Sequence, residues 1–313
     1  MSFNKTVTLL CYLIIGIVGL LTNLFGLFKI TTLKEFRHCF GYICICQLIS
    51  NCLTLSIFLF WSCPCLIIFK DEVDLETINR IMGCFGILAW NLTMYSHIAA
   101  SINRFVAMYI PTKYSRIFTN KTCIMIITAI WVLSFCHVIP YIFLDCIYKF
   151  SVQSLTWIFI FTTCTKILTS IDLYLSLSNI CFSFFLDFLI FIKLGIQGKK
   201  SNGLRRTIAP SNIQSYNNTT STKKPNGPNK KTRTKSVYNN RIRFFFQSFM
   251  QNILIGIELV CFHIICYNVE GKLLSMLFSS GAWALCHTID GFILCVFNKE
   301  IRNSFFKIFG CKK

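Results

Sequence analysis

Long apolar runs separated by short polar segments dominate this sequence. Each run is long enough to cross the hydrocarbon core of a bilayer as an α-helix, which takes about 20 residues. Unsatisfied backbone groups are costly in lipid, so such runs must be helical. We predict seven spans, at 7–28, 41–62, 81–103, 122–144, 169–193, 244–266 and 272–297. The apolar stretch 150–162 blurs the start of the fifth span, and counts of six or eight stay open as alternatives.

Composition supports a membrane protein. Hydrophobic residues make up 54% of the 313 residues and charged residues only 14%, which is more apolar surface than a soluble domain of this length could hide. The formal net charge of +19 would suit a nucleic-acid binder, but the basic residues lie between apolar segments and not along one soluble face. Membrane orientation explains them better, so we expect the lipid bilayer, and no nucleic acid, as a partner.

The charges of the connecting segments predict the orientation of the chain. Basic residues concentrate in the connections 29–40, 104–121 and 194–243 and in the carboxyl-terminal tail. The opposite connections hold most of the acids: Asp71, Glu72, Asp74, Glu76, Asp145 and Glu270. Since cytosolic connections carry the excess of Lys and Arg, we predict that the amino terminus lies outside and the carboxyl terminus in the cytosol.

Two of the predicted cytosolic segments, the loop 194–243 and the tail 298–313, are markedly polar. The loop 194–243 is rich in Asn, Ser, Thr, Lys and Pro, a composition that cannot bury enough surface to order itself. We interpret it as a disordered tether that helps to set topology, with contact to anionic lipid or a cytosolic partner as the alternative. The tail 298–313 alternates charged and apolar residues, which suits an amphipathic helix on the membrane surface. Cys311 is a candidate for palmitoylation there.

Eighteen cysteines suggest a disulfide scaffold, but their placement argues against it. Most fall inside apolar runs, where a free thiol behaves as a small buried hydrophobe. The few near connections are open to oxidation if they face the lumen: Cys63, Cys65, Cys84, Cys146 and Cys164. The first apolar run lacks a small-residue cleavage site, so we predict that it is a signal anchor.

Arg104 stands at the predicted cytosolic end of the third span, in the stretch SINRFVAMYIPTKY. A long arginine side chain can snorkel there to the interface, which is the simplest interpretation. Its spacing is more specific, because Met108, Pro111 and Tyr114 follow four, seven and ten positions later. This resembles the third-helix signature of rhodopsin-like G-protein-coupled receptors, an acid-Arg-Tyr triplet followed by an aliphatic residue, a proline and a tyrosine. The resemblance implies an all-α seven-transmembrane bundle in which these four residues couple to a heterotrimeric G protein.

Polar residues elsewhere support the same resemblance. Asn23 in the first span and Asn51 in the second lie where that family keeps polar helix contacts, and Asp290 occupies the region of its seventh-helix Asn-Pro-x-x-Tyr motif. The resemblance therefore implies an intramembrane polar network of these three side chains. Outside the 194–243 loop, the pattern looks most like the nematode chemosensory receptors of the serpentine class x (Srx) group. That likeness implies a small-molecule ligand in the outer half of the bundle, no cofactor, and a multi-pass location in the plasma membrane, including that of the sensory cilium.

The chain also departs from the family pattern. Asn103 replaces the acid that normally precedes the arginine, and Asp187 in the fifth span is a candidate substitute partner for Arg104. Asn51 stands where the family usually has an aspartate, while Asp290 stands where it usually has an asparagine. The carboxylate is therefore interpreted as having moved from the second helix to the seventh.

The resemblance also implies an external disulfide between the third helix and the second outer loop. Cys84 and Cys164 are the candidates. Cys84 lies only twenty positions before Arg104, about 30 Å of helix, which is deeper than is usual in the family. Cys146, Cys63 and Cys65 therefore remain as competing partners.

Several residues lie at a depth that suits a ligand pocket: Trp90, Asn91, Met94, Glu258, Trp283 and His287. Glu258 is the strongest candidate, because a carboxylate inside a membrane is costly and is a functional hypothesis by default. The alternative for each is packing or hydrogen bonding between helices. Asp172, at the outer edge of the fifth span, is expected only to meet water.

Other classes of protein are less consistent with the sequence. No HExxH, Gly-x-Ser-x-Gly or paired aspartyl motif is present, so an enzyme is not expected. A transporter should show repeated halves with interrupted spans, and none is visible. The alternative that stays open is a seven-span ligand-gated ion channel of inverted topology, which would serve chemosensation without a G protein.

Overall fold

The computed structural model describes residues 2–70, 75–206 and 230–308. Within these ranges, seven long helical segments pack side by side as a bundle. They are α1 (Phe3–Thr32), α2 (Cys39–Ile68, with a π-helical turn at Phe58–Ser62), α3 (Glu76–Tyr109), α4 (Asn120–Phe143), α5 (Thr163–Arg206), α6 (Lys230–Val260, continued by Cys261–Ile265 and Cys266–Asn268) and α7 (Lys272–Phe297, with a π-helical turn at Leu277–Gly281). A ten-residue helix, α8 (Lys299–Ile308), follows α7.

Polar side chains begin several of these helices, α4 and α8 among them. Thr119 Oγ1 accepts a hydrogen bond from the Thr122 backbone amide at 3.3 Å and starts α4. Asn298 Oδ1 accepts from the backbone amides of Glu300 and Ile301, at 3.2 and 3.4 Å, and starts α8 at a sharp break after α7. Such caps satisfy amides that have no partner within the helix.

Six of the seven long helices are long and apolar enough to cross a membrane: α1, α2, α4, α5, α6 and α7. The helix that falls short is α3, which packs against α2, α4 and α5. Many of its polar side chains are buried in these contacts: Asn79, Asn91, Ser96, His97, Ser101 and Asn103. A helix at the centre of a bundle can carry such residues because protein, and not lipid, surrounds them.

The helices at the predicted loop 194–243 extend further than the sequence indicated. α5 continues to Arg206 and α6 begins at Lys230, so the prediction of disorder was too wide at both ends. Lys, Arg and Gln are good helix formers, and a helix satisfies its backbone outside the bilayer as well as inside it. Residues 207–229 and Cys311 lie outside the described residues.

A β-hairpin covers one end of the bundle, and the sequence analysis missed it. Strands β1 (Tyr148–Ser151) and β2 (Thr156–Phe159) pair antiparallel, with Tyr148 opposite Phe159, in the stretch that blurred the start of the fifth span. Asn79 of α3 holds the hairpin at Phe150, because its Oδ1 accepts from the Phe150 backbone amide at 3.0 Å and its Nδ2 donates to the Phe150 carbonyl at 2.9 Å. Several hairpin side chains are almost fully buried: Tyr148, Phe150, Val152, Leu155 and Trp157.

The hairpin also determines which two cysteines form a disulfide. Its base brings Cys146 and Cys164 together, with 5.3 Å between their Cα atoms, and these two form the disulfide. The predicted partner Cys84 is a free, half-buried thiol, so the Cys84–Cys164 pairing was wrong. The hairpin reaches α3 through packing, because the Tyr148 carbonyl oxygen occupies the space where a side chain at Gly83 would stand.

We expect peptide mapping without reduction to recover a cross-linked pair containing Cys146 and Cys164, with Cys84 alkylated as a free thiol. Cys146→Ser should lower the thermal unfolding midpoint, because the bond closes a loop with a sequence separation of 18, worth about 3 kcal/mol of chain entropy. Cys84→Ser is the matched control and should change little. A larger loss of stability in Cys84→Ser than in Cys146→Ser would contradict this assignment.

Candidate functional site

The Asp290 carboxylate is the centre of a buried hydrogen-bond network. It accepts from Asn51 Nδ2 at 2.8 Å, from Gln251 Nε2 at 2.8 Å, and from Gln47 Nε2 at 3.0 and 2.8 Å on its two oxygens. His97 Nε2 lies 3.6 Å from the carboxylate. All five side chains are at least nine-tenths buried. The network therefore joins α2, α6 and α7 and touches α3 at one point.

Asn23 extends the network to α1. Asn51 Nδ2 donates to Asn23 Oδ1 at 2.9 Å, and Asn23 Nδ2 donates to the His287 carbonyl at 3.2 Å. The close approach depends on Gly291, because a Cβ atom at that position would overlap the Asn23 amide. The structure thus brings together the three residues expected to form an intramembrane polar network, Asn23, Asn51 and Asp290.

Both oxygens of the Asp290 carboxylate accept hydrogen bonds from side-chain amides. Three side-chain amides donate to its two oxygens, so protein donors replace the water that the buried group lacks. Gln47, Gln251 and His97 are further members of the network that the sequence pattern did not indicate. Polar residues in apolar spans are a usable signal, but which face of each helix points inward is decided by packing.

A cavity at the hairpin end of the bundle holds three of the six predicted pocket residues. This cavity, the Glu258 cavity, is lined by Trp90, Tyr148, Asp172, Glu258 and Trp283 among others and measures about 50 Å³. Trp90, Glu258 and Trp283 are the residues that the sequence analysis had named. Asp172 was expected only to meet water and instead lines the cavity, and Tyr148 enters from the hairpin that the sequence did not predict.

The other three predicted pocket residues do not line the Glu258 cavity. Asn91 Nδ2 donates to the carbonyl of Ile87 in its own helix at 3.0 Å. Met94 packs in an apolar cluster of α3, α5, α6 and α7. His287 joins the polar network instead, with Nδ1 2.7 Å from Asn51 Oδ1. The pattern showed their depth in the span but could not show the direction in which each points.

A second and larger cavity opens at the opposite end of α3. This cavity, the Arg104 cavity, measures about 440 Å³ and is lined by Phe40, Arg104, Met108, Tyr114 and Arg243 among others. The structure therefore brings together three of the four residues expected to contact a G protein. Pro111 is exposed nearby and does not line the cavity.

Arg104 has no carboxylate partner within 4.0 Å in the described part of the chain. Its guanidinium carbon lies 5.3 Å from the centre of the Phe40 ring, a cation–π contact, and its Nε is buried without a hydrogen-bond partner. Asp187, the candidate substitute partner, accepts from Asn252 Nδ2 at 2.7 Å instead. The arginine is thus held by packing and keeps donors available in the cavity.

Asn103 has a different role from the acid that it replaces in the family pattern. Tyr114 follows α3 in the short helix Tyr114–Ile117, and its hydroxyl donates to Asn103 Oδ1 at 3.2 Å. Burial raises the pKa of the Tyr114 hydroxyl, so it remains protonated at neutral pH and can donate this hydrogen bond. Asn103 therefore anchors the connection after α3.

We expect Asp290→Asn to destabilise the fold, because it places a new amide donor among the donors of Asn51, Gln47 and Gln251. An unsatisfied buried group costs about 1–3 kcal/mol, which should lower the thermal unfolding midpoint of the purified protein. The exposed Asp145→Asn is the matched control.

The double variant Asn51→Asp/Asp290→Asn should recover part of this loss, because it exchanges donor and acceptor between the same two side chains. A double-mutant cycle measures the coupling. If Asp290→Asn proves as stable as Asp145→Asn, the network contributes little to stability.

The fold is similar to that of a known receptor. The crystal structure of squid rhodopsin superposes with a TM-score of 0.71, covering 98% of this chain and 86% of the rhodopsin chain, at 15% sequence identity. At this identity the similarity concerns the fold alone. Its extent shows that the described helices follow a rhodopsin-like arrangement.

Sequence comparison identifies the family. The chain is 25% identical over 301 residues to "Serpentine receptor class X 45" of Caenorhabditis elegans, covering 91% of this chain and 77% of the relative. The family model described as "Serpentine type 7TM GPCR chemoreceptor Srx" matches residues 13–214 and 216–298. The chain therefore belongs to the Srx family of serpentine chemoreceptors, a receptor family of the G-protein-coupled type whose members are multi-pass membrane proteins and not enzymes.

Proposed function

We propose that this protein is a chemosensory receptor of the plasma membrane, including that of sensory cilia, which binds a small molecule and activates a heterotrimeric G protein. The observation that carries the proposal is the Arg104 cavity, an opening of about 440 Å³ that holds an arginine without a carboxylate partner among the described residues. In a member of a receptor family, such a site suits the end of a partner helix.

The chemistry of the Arg104 cavity supports this partner. A guanidinium presents several N–H donors in a planar fork, and the end of a helix exposes carbonyl oxygens that lack partners. Met108 and Phe40 supply apolar surface beside Arg104, so a helix end that combines carbonyls with an apolar residue fits both features. Arg243 adds positive charge to the same wall, which complements the negative end of a helix dipole.

Signal transmission in this proposal is a shift between two arrangements of the bundle. A ligand in the Glu258 cavity contacts α3, α5, α6 and α7, and it favours whichever arrangement it binds more tightly. Glu258 and Gln251 both lie on α6, and Gln251 donates to Asp290 of α7. A movement of α6 at the Glu258 cavity would therefore change the hydrogen bonds at Asp290 before it reaches the Arg104 cavity.

The proposed orientation of the chain in the membrane rests on the basic residues of its connections. We propose that the chain spans the membrane seven times, with the amino terminus and the hairpin outside and the Arg104 cavity in the cytosol. The basic connections 29–40, 104–121 and 194–243 then face the side where Lys and Arg are retained. The long basic connection between α5 and α6, including residues 207–229, is proposed to act as a cytosolic tether.

We expect Arg104→Ala to abolish agonist-independent nucleotide exchange on a G protein, because it removes the donors that face the partner helix. Membranes containing the full chain would be tested with a set of Gα subunits, and surface expression measured in parallel. Arg116→Ala is the matched control, since it removes the same charge from an exposed position outside the cavity. Exchange that is equally fast in Arg104→Ala and in the wild type would overturn the coupling role.

The proposed topology has its own test. A protease site within 215–230 should be protected in intact cells, and a tag at the amino terminus should be accessible to antibody. The reverse result, with an accessible loop and a protected amino terminus, would reject G-protein coupling through Arg104. It would favour a ligand-gated channel of inverted topology, to be tested by recording ligand-evoked currents.

A further inference from the structure

The Glu258 cavity combines two carboxyl side chains with an aromatic wall. Asp172 of α5 and Glu258 of α6 both line it. No Lys or Arg is found among the described residues that line it, although His263 is. The cavity therefore has an excess of acidic groups over basic ones inside a bundle, where an uncompensated charge is costly.

Glu258 has a side-chain oxygen without a partner. The residue is only 4% exposed, and its Oε2 atom is buried with no hydrogen bond to the protein. Buried polar atoms are almost always hydrogen-bonded in folded proteins, so the free Glu258 oxygen, an acceptor, indicates that a ligand with a hydrogen-bond donor completes the site.

The aromatic side chains form a continuous wall around this cavity. The Phe262 and Phe159 ring centres are 6.5 Å apart, those of Phe159 and Tyr148 are 4.4 Å apart, and those of Tyr148 and Trp283 are 6.4 Å apart. Trp90 of α3 lines the cavity as well. The faces of such rings carry negative electrostatic potential and attract organic cations, most strongly when water is excluded.

We propose that the Glu258 cavity binds a compact organic ammonium ion. This inference rests on the proposed receptor function and names the class of its ligand. The ammonium group pairs with Glu258 and Asp172, and its alkyl substituents contact the rings of Tyr148, Phe159, Phe262 and the two tryptophans. A cavity of about 50 Å³ favours a cation of a few heavy atoms over a bulky one. An anion would meet two carboxyl groups, whereas a cation can pair with both of them.

The test uses the purified full chain in lipid nanodiscs without a G protein, with three probes of similar shape. Isobutylammonium should raise the thermal unfolding midpoint in a concentration-dependent manner, whereas isobutanol and isobutyrate should not. This comparison needs no variant, so it holds even if a substitution prevents folding. Equal stabilisation by isobutanol and isobutylammonium, or none by isobutylammonium, would overturn the proposal.

Variants then locate the site. Glu258→Gln keeps the shape of the side chain but removes its charge, and we expect it to weaken isobutylammonium binding by about tenfold or more, the value of a charge-assisted hydrogen bond. Asp172→Asn should weaken binding in the same direction. Glu76→Gln, whose exposed side chain pairs with Lys149 outside the cavity, is the matched control and should bind as the wild type does. Unchanged affinity in both Glu258→Gln and Asp172→Asn would place the cation elsewhere and reject this site.

The two proposals fail independently. The probe experiment contains no G protein, so a chain that couples to none can still bind isobutylammonium. The exchange assay is agonist-independent, so absence of ammonium binding leaves the Arg104 result unaffected.

Discussion

A polar group buried among helices in lipid has no water to bond to, and the interior of this bundle depends on that constraint. The carboxylate of Asp290 is buried on α7, and side-chain amides from α2 and α6 supply its hydrogen bonds. Each of those amides is in turn placed by its own helix. A shift in the register of α2 or α6 would therefore take these donors away from the carboxylate.

The same constraint explains where glycine is needed. Gly291 lets Asn23 approach α7 closely enough to bond the His287 carbonyl, and Gly83 lets the Tyr148 carbonyl reach α3. At each position a side chain would separate two elements whose polar groups pair next to the contact. The close approach of α1 to α7, and that of the hairpin to α3, therefore each require a glycine.

The two cavities differ in a way that matches opposite tasks. The Glu258 cavity is small, aromatic and acidic, and it contains an unpaired buried carboxyl oxygen to which a small ligand can donate. The Arg104 cavity is several times larger and includes two arginines, which suits a segment of a protein partner. The Asp290 network lies between them along α6 and α7. It is the part of the interior that a change of helix packing would have to rearrange.

Hydrophobic length and charge asymmetry determined the long helices and their predicted orientation, because lipid imposes helix on any long apolar run. The spacing from Arg104 to Tyr114 was enough to indicate the receptor class. Tertiary structure alone decided the β-hairpin, the Cys146–Cys164 pairing and the side on which Asp172 points. These features depend on long-range packing: the hairpin is held by Asn79, which lies on another element and far away in sequence. Periodicity gives the depth of a residue in a helix, but the direction in which it faces is settled only when neighbouring helices pack against it.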